Sequence, residues 1–478
     1  MTLESRSLLV LLAFTGSLAA CDQPPVQGFA FVSDINGAYH AEGPIGSTVI
    51  VEGIQFGDVQ GSSQVLFSNS LGSAILPAPV SQWNNTFIVG TVPTGAVSGA
   101  VTVDNGNGAN TLQIFNVTPA SAFSPTSITS WTSAAALPAS AVVSGAAVAT
   151  GNIRSGGGTV RAIYVVGGEG SSGTPVASVY VSTIPAAGPI GAWTTTTAMP
   201  VSLTFSAAVV ATPGNSADSS TQGGHLLVIG GATDSAGTST DAVYRGTIKA
   251  DGTILAGSWS QSSTLPAKLH AMGATIFLGH LYVWGGAGSN NTPVTNVYRA
   301  VIQPDGSIKP GDWTSQPGLP SARSRFGYGQ YNGALYVFGG DGVAHSPNDS
   351  TSASASATVY YAKVDLYSRN VGAWATNPNS LPSARMAGGA VVMGPPGSGS
   401  AIVFSGLSAS GSNDVYATIN ADGTVGTFAN LAANLPTPVY NAAATGYVDG
   451  NGGFHALVAG GASRTAPATR TGAVVTAP

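Results

Sequence analysis

Between residues 163 and 461 one short pattern returns six times, and a chain that repeats a strand-forming unit this way can only be stable if the units stack. A run of β-branched and aromatic residues ends in a glycine pair at Ile163-Tyr-Val-Val-Gly-Gly168, Leu226-Leu-Val-Ile-Gly-Gly231, Leu281-Tyr-Val-Trp-Gly-Gly286 and Leu335-Tyr-Val-Phe-Gly-Gly340. Two degraded copies follow, Ala401-Ile-Val-Phe-Ser-Gly406 and Ala456-Leu-Val-Ala-Gly-Gly461. The first five are each followed by a Val-Tyr pair, then by a turn, often Asp-Gly, and then by an aromatic position. Trp131, Trp193, Trp259, Trp313, Trp374 and Phe428 occupy that position at intervals of 62, 66, 54, 61 and 54 residues, each shortly before a Leu-Pro or Met-Pro. Composition removes the alternatives. With 65 Gly and 29 Pro among 478 residues and only 7% charged, the chain lacks the Glu, Lys, Arg and Leu that helical bundles require. At 43% apolar, with seven Trp, it is not a charged disordered chain either. A net charge of −5 with four Lys leaves no basic footprint, so nucleic acid is not an expected partner.

The repeats resemble the kelch family. Pro320-Ser-Ala-Arg323 and Pro382-Ser-Ala-Arg385 are similar to that family's Pro-x-x-Arg entry into the innermost strand. The resemblance covers residues 124–478. It implies an all-β chain with four strands per blade, the glycine pair closing the second strand and the tryptophan in the outermost. One four-stranded blade cannot bury either face alone, so neighbours must stack and the last must meet the first. The region opens on a tryptophan strand without its three predecessors and ends on Tyr440 to Ala477, a blade without its tryptophan strand. The N-terminal strand therefore completes the last blade, and a six-bladed β-propeller is expected.

Two segments precede the repeats. Residues 1–20 read as a signal peptide: Arg6, then an apolar stretch from Leu8 to Ala20 that is too short to span a bilayer. It ends in Leu18-Ala-Ala-Cys21, which resembles a bacterial lipobox, and Cys21 is the only cysteine. The resemblance implies a lipid on Cys21 and a location anchored in the cell envelope. An ordinary secretory signal cut near Ala20 is the alternative. From 26 to 117, short alternating segments bounded by Gly, Asn and Pro indicate a small β-sandwich. Gly53-Ile-Gln-Phe-Gly57, Trp83, Val92-Pro93 and Ser98-Gly-Ala-Val-Thr-Val103 resemble the IPT/TIG immunoglobulin-like family, whose domains serve as spacers or binding modules.

If the strands alternate as in that family, one loop face collects the charged side chains. The candidate ligand-binding residues are Arg323, Arg325, Arg385, His270, Tyr440, Glu169, Asp341 and His345, with Asp234 and Asp349 beside them. Arginine, acid and aromatic groups around one opening suit hydroxyl-rich or carboxylated ligands. For Arg323 and Arg385, bracing of neighbouring carbonyls is the competing role. His225, His280 and His455 recur at one position of three different repeats, too dispersed to share a metal, and read as turn residues. The propeller family includes galactose oxidase-type enzymes, whose radical cofactor needs a tyrosine crosslinked to cysteine; with Cys21 at the terminus it cannot form here, and no cofactor or metal is expected. The six-bladed N-acetylneuraminate epimerases share the blade number. Three functions follow from the resemblance: a lipid-anchored protein binding a glycan or protein, a sugar epimerase or mutarotase, and a structural scaffold.

Overall fold

The computed structural model describes residues 31–477 apart from 35–41, 105–108, 119–122, 139–143, 156–157, 186–189, 212–221, 304, 347–348, 353, 396, 410–412, 450 and 464–473. Cys21 and the leader lie outside the described residues. The chain is all-β, with only two 3₁₀ turns, Pro125–Ser127 and Ser289–Asn291, among the described residues.

Residues up to Val117 form two facing sheets. One orders its strands as Phe31–Asp34, Thr48–Glu52, Phe87–Thr91 and Val80–Asn84; the other as Glu42–Gly43, Ala109–Val117, Gly99–Asp104, Gln64–Ser68 and Ala74–Pro77. Val49, Val51, Ile88, Val65, Phe67, Val101, Val103 and Phe115 fill the space between them. The Gly53–Gly57 turn closes on this core: the N–H groups of Gly53 and Phe56 donate to the Thr86 and Asn85 carbonyls, and the Trp83 indole donates to the Phe56 carbonyl at 3.2 Å.

The rest of the chain makes six four-stranded antiparallel sheets among the described residues. Sheet I holds Ala147–Ser155, Gly158–Val166, Val179–Ile184 and Thr194–Thr195; sheet II holds Ala207–Ala211, Gln222–Ile229, Val243–Lys249 and Ser260–Gln261. Sheet III holds Gly273–Phe277, His280–Trp284, Val297–Val301 and Thr314–Ser315; sheet IV holds Gly327–Tyr331, Ala334–Phe338, Val359–Lys363 and Ala375–Thr376. Sheet V holds Ala390–Met393, Ser400–Val403, Val415–Thr418 and Ala429–Asn430. Sheet VI takes three strands from the end of the chain, Ala443–Val448, Phe454–Ala459 and Val474–Ala477, and its outer strand, Thr132–Ser133, from their beginning. Thr132 pairs with Thr476 and Ser133 with Val475, as the orphan tryptophan strand led us to expect. The first strand of each sheet lies beside the first strand of the next, and that of sheet VI beside that of sheet I.

The glycine pairs explain themselves at these junctions. Gly230 and Gly231 take φ of +53° and +106°, the left-handed region that side chains disfavour. A Cβ on Gly230 would stand 2.5 Å from the Leu269 carbonyl oxygen of the entry into sheet III, and the Gly231 N–H donates to that same oxygen at 2.8 Å. The same tie runs from Gly168 to Leu203, Gly286 to Arg323, Gly340 to Arg385 and Gly406 to Val439. The degraded fifth copy keeps the geometry, with Ser405 at φ +30°. Buried tyrosines of the glycine-pair strands add a second tie: the hydroxyls of Tyr164, Tyr282 and Tyr336 donate to the carbonyls of Gly252, Arg369 and Gly423 in the following sheet.

The sandwich is more than a spacer. The Thr48–Glu52 and Phe87–Thr91 strands are apolar on both faces: Val49, Val51 and Ile88 point into the sandwich, while Ile50, Phe87 and Val89 pack in one cluster with Phe277, Leu278 and Leu366 of sheets III and IV. Arg369 forms an ion pair with Glu52 and lies over the Phe87 ring at 4.9 Å. These contacts are at the hairpin ends of the first and third strands, opposite the glycine-pair end.

The outer strand of sheet VI is only two residues long, but Ile128, Phe123 and Trp131 pack with Phe404, Leu431 and Val458, and the Trp131 indole donates to the Ala433 carbonyl at 3.1 Å. Deleting residues 123–133 removes these contacts and exposes the edge of Val474–Ala477, so the variant should melt at least 10 °C lower and aggregate. Equal melting temperature and solubility would show that the terminal strand closes nothing.

Candidate functional site

At the glycine-pair end, a residue two or three places before each first strand has left-handed backbone: Gly145, Phe205, Ala271, Arg325, Ala387 and Asn441, with φ between +52° and +67°. Each N–H donates to the carbonyl of its predecessor: Phe205 to Gly145, Ala271 to Phe205, Arg325 to Ala271, Ala387 to Arg325, Asn441 to Ala387, and Gly145 back to Asn441, at 2.6–3.2 Å. These six residues frame an opening. Beneath it is a cavity of about 120 Å³ bordered by small residues such as Gly327, Gly388 and Ala442 and by Phe205, Arg325 and Tyr328. A second space of about 270 Å³ continues between the first strands, and Tyr328 borders both. Burial pushes the Tyr328 phenol up to about 12, so it is a neutral hydroxyl at the wall.

Arg325 is 6% exposed. Its Nη2 donates to the Asp349 carbonyl at 2.7 Å, and its Nε and Nη1 are buried with no hydrogen-bond partner among the described residues. Burial pulls its pKa below the usual guanidinium value, while the nearby Asp341, Asp349 and Tyr440 pull it back. The loop that supplies Asp349 is internally tied. Asp341 Oδ1 accepts from the Val343 N–H at 3.0 Å and the Ser354 hydroxyl at 2.7 Å; Ser354 Oγ meets His345 Nε2 at 2.9 Å; and His345 Nδ1 meets Asp349 Oδ2 at 2.7 Å. From there the Ser346 hydroxyl reaches the Ser235 carbonyl at 3.4 Å. Since Ser235 belongs to sheet II and Ser346 to sheet IV, this loop is a strap that passes the entry of sheet III.

Of the candidates, the structure brings Arg325, Asp341 and His345 into one network, with His270 and Tyr440 near enough to Arg325 for mutual electrostatic influence. His270 is buried against the Ser239 hydroxyl at 2.8 Å. Burial and then the Arg325 charge hold it down to about 4, against an opposing pull from Asp234. Tyr440 is buried with Met386, Ala387 and Leu407. Arg323 and Arg385, which lead into sheets IV and V, hydrogen-bond to groups of those same sheets. Arg323 reaches Ser356 Oγ at 3.2 Å and the Tyr360 hydroxyl at 3.3 Å, and Arg385 the Asn413 carbonyl at 2.9 Å. Glu169 is fully buried and exchanges backbone hydrogen bonds with Ser144. His225, His280 and His455 stand on three different sheets, each in its own setting. His225 is covered by Gly306, where a Cβ would lie 2.5 Å from its ring; His280 Nδ1 meets the Leu278 carbonyl, and His455 Nε2 meets Asp449.

The sequence reading overlooked Ser354, which joins Asp341 to His345, and Asp414. The latter is 1% exposed and accepts from the N–H groups of Ser405 and Leu435, while burial raises its pKa. Its place before Val415-Tyr416 is taken by Ser178, Ala242, Asn296 and Thr358 in the other repeats, so no shared residue type marked it. Comparison with protein-family models finds no match to the chain, and comparison with curated proteins finds none either.

The buried histidines set a pH dependence. His225, like His270, is held down to about 4, mainly by burial and then by Arg245, whereas both titrate near 6.5 when unfolded. Between those values the unfolded chain binds more protons, so stability present above pH 6.5 is lost as pH falls toward 4. The melting temperature should drop by several degrees from pH 7 to pH 4.5, and by clearly less in His225→Gln. Parallel curves for the two proteins would show that His225 does not titrate this way.

Proposed function

We propose that this chain is a lipid-anchored binding protein of the cell envelope, in which a six-bladed kelch-type propeller of residues 124–478 recognises a glycan or protein ligand on its loop face. The observation that carries the reading is the polar network of Arg325, Asp341, His345, Asp349 and Ser354 gathered beside a cavity in a chain with so few charges. Such a network is costly to bury and is not needed to hold sheets that already stack by apolar contact. Support for the ring comes from the neighbouring first strands, the cycle of six backbone hydrogen bonds and the outer strand borrowed from the start of the region. On this reading residues 26–117 are an IPT/TIG-type domain. Its docking on the far ends of sheets III and IV leaves the loop face open to a partner.

The full mature chain should bind at least one member of an array of neutral and acidic glycans and short peptides. Replacing residues 343–352 by a short Gly-Ser turn should abolish that signal while His455→Ala retains it. No binding to any member, or binding lost only with His455→Ala, would overturn the assignment of this face.

The anchor rests on the lipobox-like Leu18-Ala-Ala-Cys21 and has its own test. Cys21→Ser should leave the precursor unprocessed or release the protein from membranes; normal processing and unchanged membrane fractionation would exclude it.

A further inference from the structure

We propose that the strap between sheets IV and II is a pH-sensitive tie: its closed form holds one proton more than its open form, so it loosens as pH rises. For what the tie governs, this rests on the binding face just described.

The proton count follows from the chain of contacts Asp341–Ser354–His345–Asp349. A serine hydroxyl has one hydrogen. Ser354 gives it to Asp341 Oδ1 at 2.7 Å, so the 2.9 Å contact between Ser354 Oγ and His345 Nε2 needs a hydrogen on the ring nitrogen. On the other side of the ring, His345 Nδ1 stands 2.7 Å from Asp349 Oδ2, and an ionised carboxylate only accepts. Both ring nitrogens therefore donate, and His345 is an imidazolium. Moving the proton to either acid reverses the direction of the bonds without changing the total. With both acids ionised and a neutral ring, one of these short contacts would contain no hydrogen. The charged form fits best, because each carboxylate already accepts a backbone N–H: Asp341 Oδ1 from Val343 at 3.0 Å and Asp349 Oδ1 from Thr351 at 2.8 Å. The Thr351 N–H and then His345 hold Asp349 below the usual carboxylate value.

Burial gives the proton its weight. Asp341 is 0% exposed, and its Oδ2, without a hydrogen-bond partner among the described residues, lies 3.9 Å from His345 Nε2. A buried carboxylate is costly unless a positive charge faces it. Arg325 acts on Asp341 and Asp349 together, one cation against two acids, and protonated His345 brings the count to two of each. The other ionisable groups around the strap are engaged separately. Arg323 lies beside Gly342 but bonds to the Ala322 carbonyl, Ser356 and Tyr360. Asp234 is held by Thr238, Tyr440 acts on Arg325, and His270 is neutral above about pH 4.

An opened strap returns the imidazole to water, where it titrates near pH 6.5. Above that value closing takes up a proton, so the ratio of closed to open strap falls by up to about tenfold per pH unit; below it both forms hold the proton and closure ceases to depend on pH. Closure joins Asp349 to Arg325 at the opening and Ser346 to Ser235 on sheet II. Loosening it unsettles one side of the loop face, and a ligand recognised there binds more tightly at lower pH.

The test is rapid-mixing hydrogen exchange on the full mature chain at pH 6 and pH 8.5, corrected for intrinsic rates and read in peptides that carry the Val343 and Thr351 N–H groups. Protection there should fall at least tenfold at the higher pH, while peptides of the Gly273–Trp284 hairpin stay constant. His345→Gln should show equal protection at both values, and Ser354→Ala a smaller difference than the parent. Any array member that binds should bind at least threefold more tightly at pH 6, and His345→Gln should lose that preference. Equal strap protection at both values in the parent, or the same loss in His345→Gln, would overturn the inference; array binding that persisted would then leave the face standing. Protection that depends on pH with no binding to any array member would uphold the tie and remove the face.

Discussion

Six backbone hydrogen bonds at left-handed residues hold the opening together, and the remaining architecture depends on them. Each links the entry of one sheet to the entry of the previous sheet, and the sixth returns to the first. A cycle of this kind fixes the angle between neighbours more tightly than side-chain packing alone, because backbone groups have no rotamers to adjust. It also accounts for the tolerance of unlike residues at the six positions. What is conserved in space is a conformation and a pair of backbone groups, so Gly145, Phe205, Arg325 and Asn441 can serve alike. One member of the cycle can therefore carry a functional side chain without disturbing the others.

Outward from the opening, each sheet is tied to the next by a hierarchy of contacts. The glycine pairs of sheets I to IV give a close backbone approach that a Cβ would crowd, and the tyrosine hydroxyls of the second strands reach the following sheet's turn. Apolar side chains fill the space between. Tyr164, Tyr282 and Tyr336 pack as core residues and still satisfy their hydroxyls, which is how an aromatic residue is buried without leaving a polar atom stranded. Sheets II, V and VI have Leu227, Ile402 and Leu457 at that place and do without this hydroxyl tie.

The sheets were legible because the physics that forms them leaves marks in residue type. Glycine pairs, tryptophans and Leu-Pro steps each answer a local steric demand that recurs from sheet to sheet, so they repeat. The strand exchanged between the two ends was readable as a missing piece at each end. The site was less legible, since its members answer to no repeated demand. Arg325 and His345 could be placed on one face by counting strands, but whether Arg323 and Arg385 turned toward the opening or toward a neighbour depended on side-chain directions that sequence does not carry. Ser354 gave no signal, because one serine in a Ser-rich loop looks like any other. The docking of the sandwich was also hidden: the run Thr48-Val-Ile-Val-Glu52 is apolar on both faces, which marks burial on two sides without naming the second partner.

The contact between the sandwich and sheets III and IV also has a mechanical meaning. The polypeptide leaves the sandwich after Val117 and enters sheet VI through the two-residue strand Thr132–Ser133, whose short ladder could be peeled apart one bond at a time. Tension applied at the N-terminus meets the sandwich before it meets that ladder. There it is resisted by Glu52 and Arg369, by the Phe87 ring beneath the guanidinium and by the apolar surface around Phe277, all loaded together. A pull on the N-terminus is thus borne by the contact between the sandwich and sheets III and IV before it reaches the two-residue seam.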